Sequence, residues 1–295
     1  MGNHLVKKNS INHDSNFHKL FSSYKLINEN RVGFDEREHL GHALIRDIFK
    51  GNFSSPIQDI LFDSDTNILD VGCGSGFWLM EMASDYQKPN YFGIDILPIF
   101  PEFTCPKRIK FRQGNFFKSR YEDNTFDFIH MQFLVCDFTV DQWENFVFQE
   151  LARILKPGGW LEICDPEFKF ENDGPASNKL NSAVCKNIRS KNGDPLIVHR
   201  HRSLIESIPS FSSSTLHHEK RKFPLCSLDN KELGELGGFH TKESCRNILQ
   251  GPVGKDLNIK PKEIDSYLDK MSREFILSRS YFHVHRFYVQ KSWEV

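Results

Sequence analysis

Asp70, Gly72, Gly74 and Gly76 stand within one short run, Ile68-Leu-Asp-Val-Gly-Cys-Gly-Ser-Gly-Phe-Trp78. An apolar strand leading into an acid, a bare-backbone turn and a helix start is how an α/β sheet makes room for a nucleotide-like ligand. The glycine spacing selects the ligand. A pyrophosphate site reads G-x-G-x-x-G and stacks phosphate on a helix N-terminus. This run is G-x-G-x-G with Asp70 two residues ahead, which would repel phosphate and suits the amino group of an amino-acid moiety. S-adenosylmethionine (SAM) carries such a group. Cys73 fits as a small residue tolerated between the turns.

Further candidates follow in chain order. Asp95 closes the second apolar run, Tyr91-Phe-Gly-Ile-Asp95, where an acid accepts hydrogen bonds from ribose hydroxyls. Ile96 completes that edge. Asn115 and Phe116, after Arg108–Gln113, either offer a polar side chain for an adenine amino group and a ring for its face or are a turn Asn beside a core Phe. His130, late in Thr125–Phe133, is either a base near the transferred methyl or a strand-end residue hydrogen-bonded to Asp127 or to the adenosyl contacts. Asp165 and Glu167 end the next strand and are expected to shape its exit rather than to bind metal. No metal site is expected.

These residues must be positioned by alternating elements: strands at 68–71, 91–95, 108–113, 125–133 and 160–165, with helices between. A helical segment at 142–155 ends at Pro157-Gly158-Gly159, expected to be a turn that releases the fifth strand. Residues 35–50 carry apolar side chains at helical spacing, a helix ahead of the first strand. An insertion at 166–214 contains a helical stretch, 177–189, and a basic cluster, His199-Arg-His-Arg202, in which Arg200 and Arg202 either grip an acidic substrate or face solvent. Helices at 230–250 and 261–278 precede Tyr281–Gln290, which alternates like a strand closing the sheet.

Residues 67–165 resemble a class I SAM-dependent methyltransferase. The resemblance rests on Ile68-Leu-Asp-Val-Gly-Cys-Gly-Ser-Gly76, Gly93-Ile-Asp95, Thr125-Phe-Asp-Phe128 and Leu155-Lys-Pro-Gly-Gly159, all in the family's order. Trp78, Gly51–Ile57, Ile96–Pro101 and Leu233-Gly-Glu-Leu236 are similar to the fungal LaeA-like, or TAM-domain, subgroup. The resemblance implies a Rossmann-like seven-stranded sheet flanked by helices, with a helical insertion between strands 5 and 6. It implies SAM as cofactor, and a helix over 35–50 that closes on it with Tyr24 and Arg31 nearby. One domain is expected over 23–295, behind a disordered tail at 1–22; the insertion at 166–214 forms a cap, and residues 215–295 supply the last helices and strand.

Composition narrows the function. A formal charge of −1 argues against a duplex nucleic-acid binder, and no apolar run approaches the roughly 20 residues of a membrane span. The first ten residues lack the apolar stretch of a secretory signal. Seven scattered cysteines, with no C-x-x-C pair, read as reduced thiols of a cytoplasmic or nuclear protein. There is no Asn/Asp-Pro-Pro-Tyr/Phe clamp after the fourth strand and no Pro-Cys nucleophile, so nucleic-acid methylation is not expected. The expected activity is methyl transfer to a small molecule, with secondary metabolites among the acceptors. The alternative is a regulatory SAM-binding protein that works through protein partners.

Overall fold

A computed structural model of the chain describes residues 31–101, 106–226 and 230–293, with side chains from Arg37 onward. The expected tail at 1–22 and Tyr24 lie outside the described residues, as does the side chain of Arg31.

Seven strands form one sheet: β1 (Asn67–Val71), β2 (Asn90–Asp95), β3 (Ile109–Gln113), β4 (Phe126–Gln132), β5 (Leu155–Pro166), β6 (His217–Pro224) and β7 (Tyr281–Gln290). Their order is β3-β2-β1-β4-β5-β7-β6. The first five are parallel, and β7 runs antiparallel to both β5 and β6. The chain reverses its strand order beside β1, so a crevice opens at the carboxyl ends of β1 and β4. This is the seven-stranded Rossmann-like sheet flanked by helices that the sequence led one to expect.

Two expectations need correction. Pro157-Gly158-Gly159 is not a free turn: it lies inside β5, where Phe126 pairs with Leu155 but Phe128 pairs with Trp160, so the intervening residues form a bulge. Nor does β7 close the sheet. It sits between β5 and β6 with Val284, Phe287 and Val289 buried, leaving the charged β6 sequence, His-His-Glu-Lys-Arg-Lys, on the edge. Edge strands tolerate charge because one side stays in water and the charges discourage pairing with another chain.

The helices follow from their apolar stripes. On one face, Leu69, Val71, Ile129, Met131, Leu161 and Ile163 pack with α3, a continuous helix in three pieces (Val140–Gln142, a π-helical turn at Trp143–Val147, and Phe148–Ile154). The same cluster takes in α5 (His201–Glu206) through Leu204 and Ile205. On the other face, Ile68 and Phe128 meet Trp78, Leu79 and Met82 of α2 (Phe77–Asp85). Beyond them, α1 (Arg31–Phe49), α4 (Pro175–Ser190), α6 (Lys231–Gln250) and α8 (Ile264–Ser278) share a second cluster. The short α7 (Pro252–Asp256) joins it through Val253.

The insertion is therefore not one detachable cap. Its α5 half belongs to the sheet's core, whereas α4 packs with α1, α6 and α8. Glu274 of α8 fixes α4 there by accepting from the free N–H groups of Ala176 and Ser177, each at 2.9 Å.

Candidate functional site

A cavity of about 580 Å³ opens where β1, β2 and β4 end. Asp70, Gly72, Cys73, Gly74, Asp95, Ile96, Asn115, Phe116 and His130 all line it, brought together from four strands. Gly76 does not. It starts α2 at φ +77°, and a Cβ there would stand 2.3 Å from the Phe111 ring. It lets the loop turn against β3, and the third glycine packs there outside the cavity lining.

Hydrogen bonds fix the acids. Asp95 accepts from Gly74 N through Oδ2 and from Leu97 N through Oδ1, both at 2.8 Å. Burial raises its pKa against these bonds. Asp70 Oδ1 lies 2.8 Å from His130 Nδ1, the two residues facing each other in the β1–β4 register. The His130 ring stacks on Trp78 at 4.0 Å. His130 thus serves Asp70, not Asp127, whose Oδ2 accepts from Asn67 N and Lys156 Nζ at the opposite end of the strand. The shared register explains this, because a residue reaches its lateral neighbour more readily than one three places earlier on its own strand. Asn115 caps a short turn by accepting from Phe117 N at 2.9 Å and lines the cavity.

Sequence reasoning missed Glu38. This residue of α1 lines the cavity, and its Oε2 accepts from Ser75 N at 2.9 Å and from Ser75 Oγ at 2.5 Å. Burial pushes its pKa up to about 7 despite the Ser75 bonds. A Cβ on Gly74 would come within 2.9 Å of the same oxygen, and Gly74 has φ +53°, so only glycine allows the contact. The rest of α1 continues along α2: His39 stacks on Phe77 at 4.6 Å, and His42 and Arg46 both pair with Glu81. The only signal in the sequence was an acid near the start of a helix, which ordinarily marks no more than a favourable first turn.

A second anchor sits behind the crevice. Glu162 and Arg286 are fully buried, with Arg286 Nε 3.3 Å from Glu162 Oε1. Glu162 accepts from Ser54 N at 2.9 Å and from Ser55 N and Oγ at 2.8 and 2.7 Å. Trp78 Nε1 donates to Asn52 O at 2.9 Å. Together they tie the Gly51–Ile57 segment, and with it the base of α1, to the sheet.

The cavity continues past the strand ends into an apolar chamber walled by Phe133, Phe168, Leu180, Val184, Ile248 and Phe282, among others. Phe133 takes φ +62°, a conformation side chains rarely adopt, while its N–H bonds Cys164 O at 2.9 Å. Strain at a cavity wall is typical of residues whose direction matters to a ligand.

Other candidates fall elsewhere. Arg200 pairs with Glu144 and Arg202 with Glu206 on the exposed surface, and neither lines the cavity, so they do not grip a substrate there. Asp165 accepts from Val135 N at 3.0 Å, and burial raises its pKa to about 7. Glu167, His199 and His285 bring ligand atoms within 4.8 Å of one another, close enough for a metal ion. Lys220 Nζ already lies 2.6 Å from Glu167 Oε1, however, which makes the cluster an ion pair as it stands.

Residues 68–159 match the family described as a methyltransferase domain. That stretch, about a third of the chain, is what the chain shares with the methyltransferase domain family. The chain is 36% identical over 98 residues to the secondary metabolism regulator LAE1 of Cochliobolus heterostrophus, covering 32% of this chain and 31% of that protein. It is 26% identical to methyltransferase str3 of Strobilurus tenacellus, covering 54% and 57% of the two chains. It is 24% identical to N-methyltransferase verN of Clonostachys rogersoniana, covering 81% and 83%. The match thus spans less than two thirds of the first two relatives' own length. Among the described residues no helix is long and apolar enough to cross a membrane.

Proposed function

We propose that this methyltransferase domain binds SAM along the ends of β1, β2 and β3 and transfers its methyl to a small, largely apolar acceptor. The observation that carries this reading is one continuous cavity that joins the glycine loop to the apolar chamber. Asp70 would take the amino-acid end, Asp95 the ribose, and Asn115 with Phe116 the adenine. The sulfonium methyl transfers in one in-line displacement, so the protein's work is to align the acceptor's lone pair and exclude water. The relatives named as a methyltransferase and an N-methyltransferase support methyl transfer, and the apolar chamber supports a small apolar acceptor.

A regulatory role through protein partners is the second reading, favoured by the match to LAE1. The glycine loop keeps Asp70, its glycines and Asp95 in place, which favours turnover. Placement in the cytoplasm or nucleus remains part of the proposal, as does the absence of nucleic-acid and membrane partners.

Calorimetric titration with SAM and S-adenosylhomocysteine tests the cofactor, followed by labelled methyl transfer into metabolite extracts. Binding of both and a labelled product are expected. Binding without any labelled small molecule would favour the regulatory reading, and no binding by folded protein would end both.

A further inference from the structure

Among the described residues, the cofactor half of the cavity carries more negative than positive charge: Asp70, Asp95 and Glu38 all line it, with Arg37 a cation beside them. Buried carboxylates are costly unless a cation or several donors compensate. Asp95 has two backbone N–H partners, and Asp70 has His130. Glu38 uses a single oxygen, Oε2, for both Ser75 bonds; Oε1 takes no hydrogen bond from the described residues and opens to the cavity. It sits over the Gly74-Ser75 edge of the loop, held there by α1 and by the missing side chain of Gly74.

Resting on the reading that this cavity takes SAM, we propose that Glu38 Oε1 receives the cofactor's α-ammonium group, so that α1 is a working wall of the site and not only its cover. The sulfonium offers no N–H or O–H donor, and the ribose hydroxyls lie by Asp95 in this reading. The ammonium has three donors and a full charge to share between Asp70 and Glu38. Because Oε2 stays on Ser75, one carboxylate links the glycine loop, the lid helix and the ligand. Cofactor binding should then also hold α1 in place.

The test compares two ligands that share adenosine and thioether but differ in the amino-acid end: S-adenosylhomocysteine, which has it, and methylthioadenosine, which lacks it. At about pH 8 Glu38 is ionised in the wild type. Glu38→Gln should weaken S-adenosylhomocysteine by roughly tenfold or more, the scale of a lost charge-assisted hydrogen bond. Methylthioadenosine should change little. Ser75→Ala, which loosens the latch while keeping the carboxylate, should not discriminate between the two ligands. Equal losses for both ligands in Glu38→Gln would reduce Glu38 to a loop support and overturn the proposal. A wild type that binds neither nucleoside would end the cofactor reading and this role with it.

Discussion

Asp70 Oδ1 and His130 Nδ1 face each other at 2.8 Å across the β1–β4 pairing, and the imidazole lies flat on Trp78. A buried carboxylate held this way is oriented before any ligand arrives, which removes part of the entropic cost of binding. The histidine thereby acts as a positioning residue for Asp70.

Replacing Asp70 with Asn keeps the shape and a hydrogen bond to His130 but removes the charge. SAM affinity should fall roughly tenfold or more, as a lost charged partner implies at about 1.5–3 kcal/mol. Circular dichroism should stay near wild type. Unchanged affinity by calorimetry would remove Asp70 from the site.

Two glycines two residues apart should fail differently. Gly74→Ala pushes a methyl toward Glu38 at φ +53°, and cofactor binding should drop with modest loss of stability. Gly76→Ala drives a methyl into the Phe111 ring at φ +77°, and the loss should appear in the thermal midpoint. Adding Phe111→Ala should recover part of the Gly76→Ala loss, since it removes the obstruction though not the dihedral strain. If the double variant is no more stable than additivity predicts, the ring contact is not the cause.

Arg286→Met leaves the buried Glu162 without its cation. Breaking such a pair costs about 3–5 kcal/mol. The Gly51–Ile57 segment should loosen with it, because Arg286 Nη1 also donates to Ser54 Oγ at 3.1 Å. Urea unfolding measures the first effect, and hydrogen exchange at Ser54 and Ser55 the second. Wild-type protection there would separate the pair from the loop.

Acid should find the Glu167 cluster. Burial pushes the Glu167 pKa up, but the Lys220 and His285 hydrogen bonds outweigh it and hold it down at about 2, against an ordinary 4.5. A carboxylate depressed in the folded state contributes stability above its unfolded value and loses it as pH falls through the folded one. The loss therefore spans about pH 4.5 down to about 2. Lys220→Met should bring that loss to higher pH. Lys220 is partly exposed, so screening keeps the effect near 1 kcal/mol. Identical acid unfolding of variant and wild type by fluorescence would show that Lys220 contributes nothing.

The sequence by itself determined the elements and the loop. Alternating apolar runs specify strands and helices whatever they pack against, and an acid before G-x-G-x-G constrains the backbone locally. Nine of the ten residues expected to bind cofactor line one cavity for that reason. Tertiary structure decided everything that depends on partners far apart in the chain. Gly76 faces Phe111 and not the cavity, His130 serves Asp70 and not Asp127, and the bulge at Pro157–Gly159 exists only because Phe126 and Phe128 pair around it. Glu38 meets Ser75, and Glu162 meets Arg286, across separations that leave no periodicity to read. Local patterns record what each segment prefers, whereas charge pairing and close packing are properties of the assembled sheet.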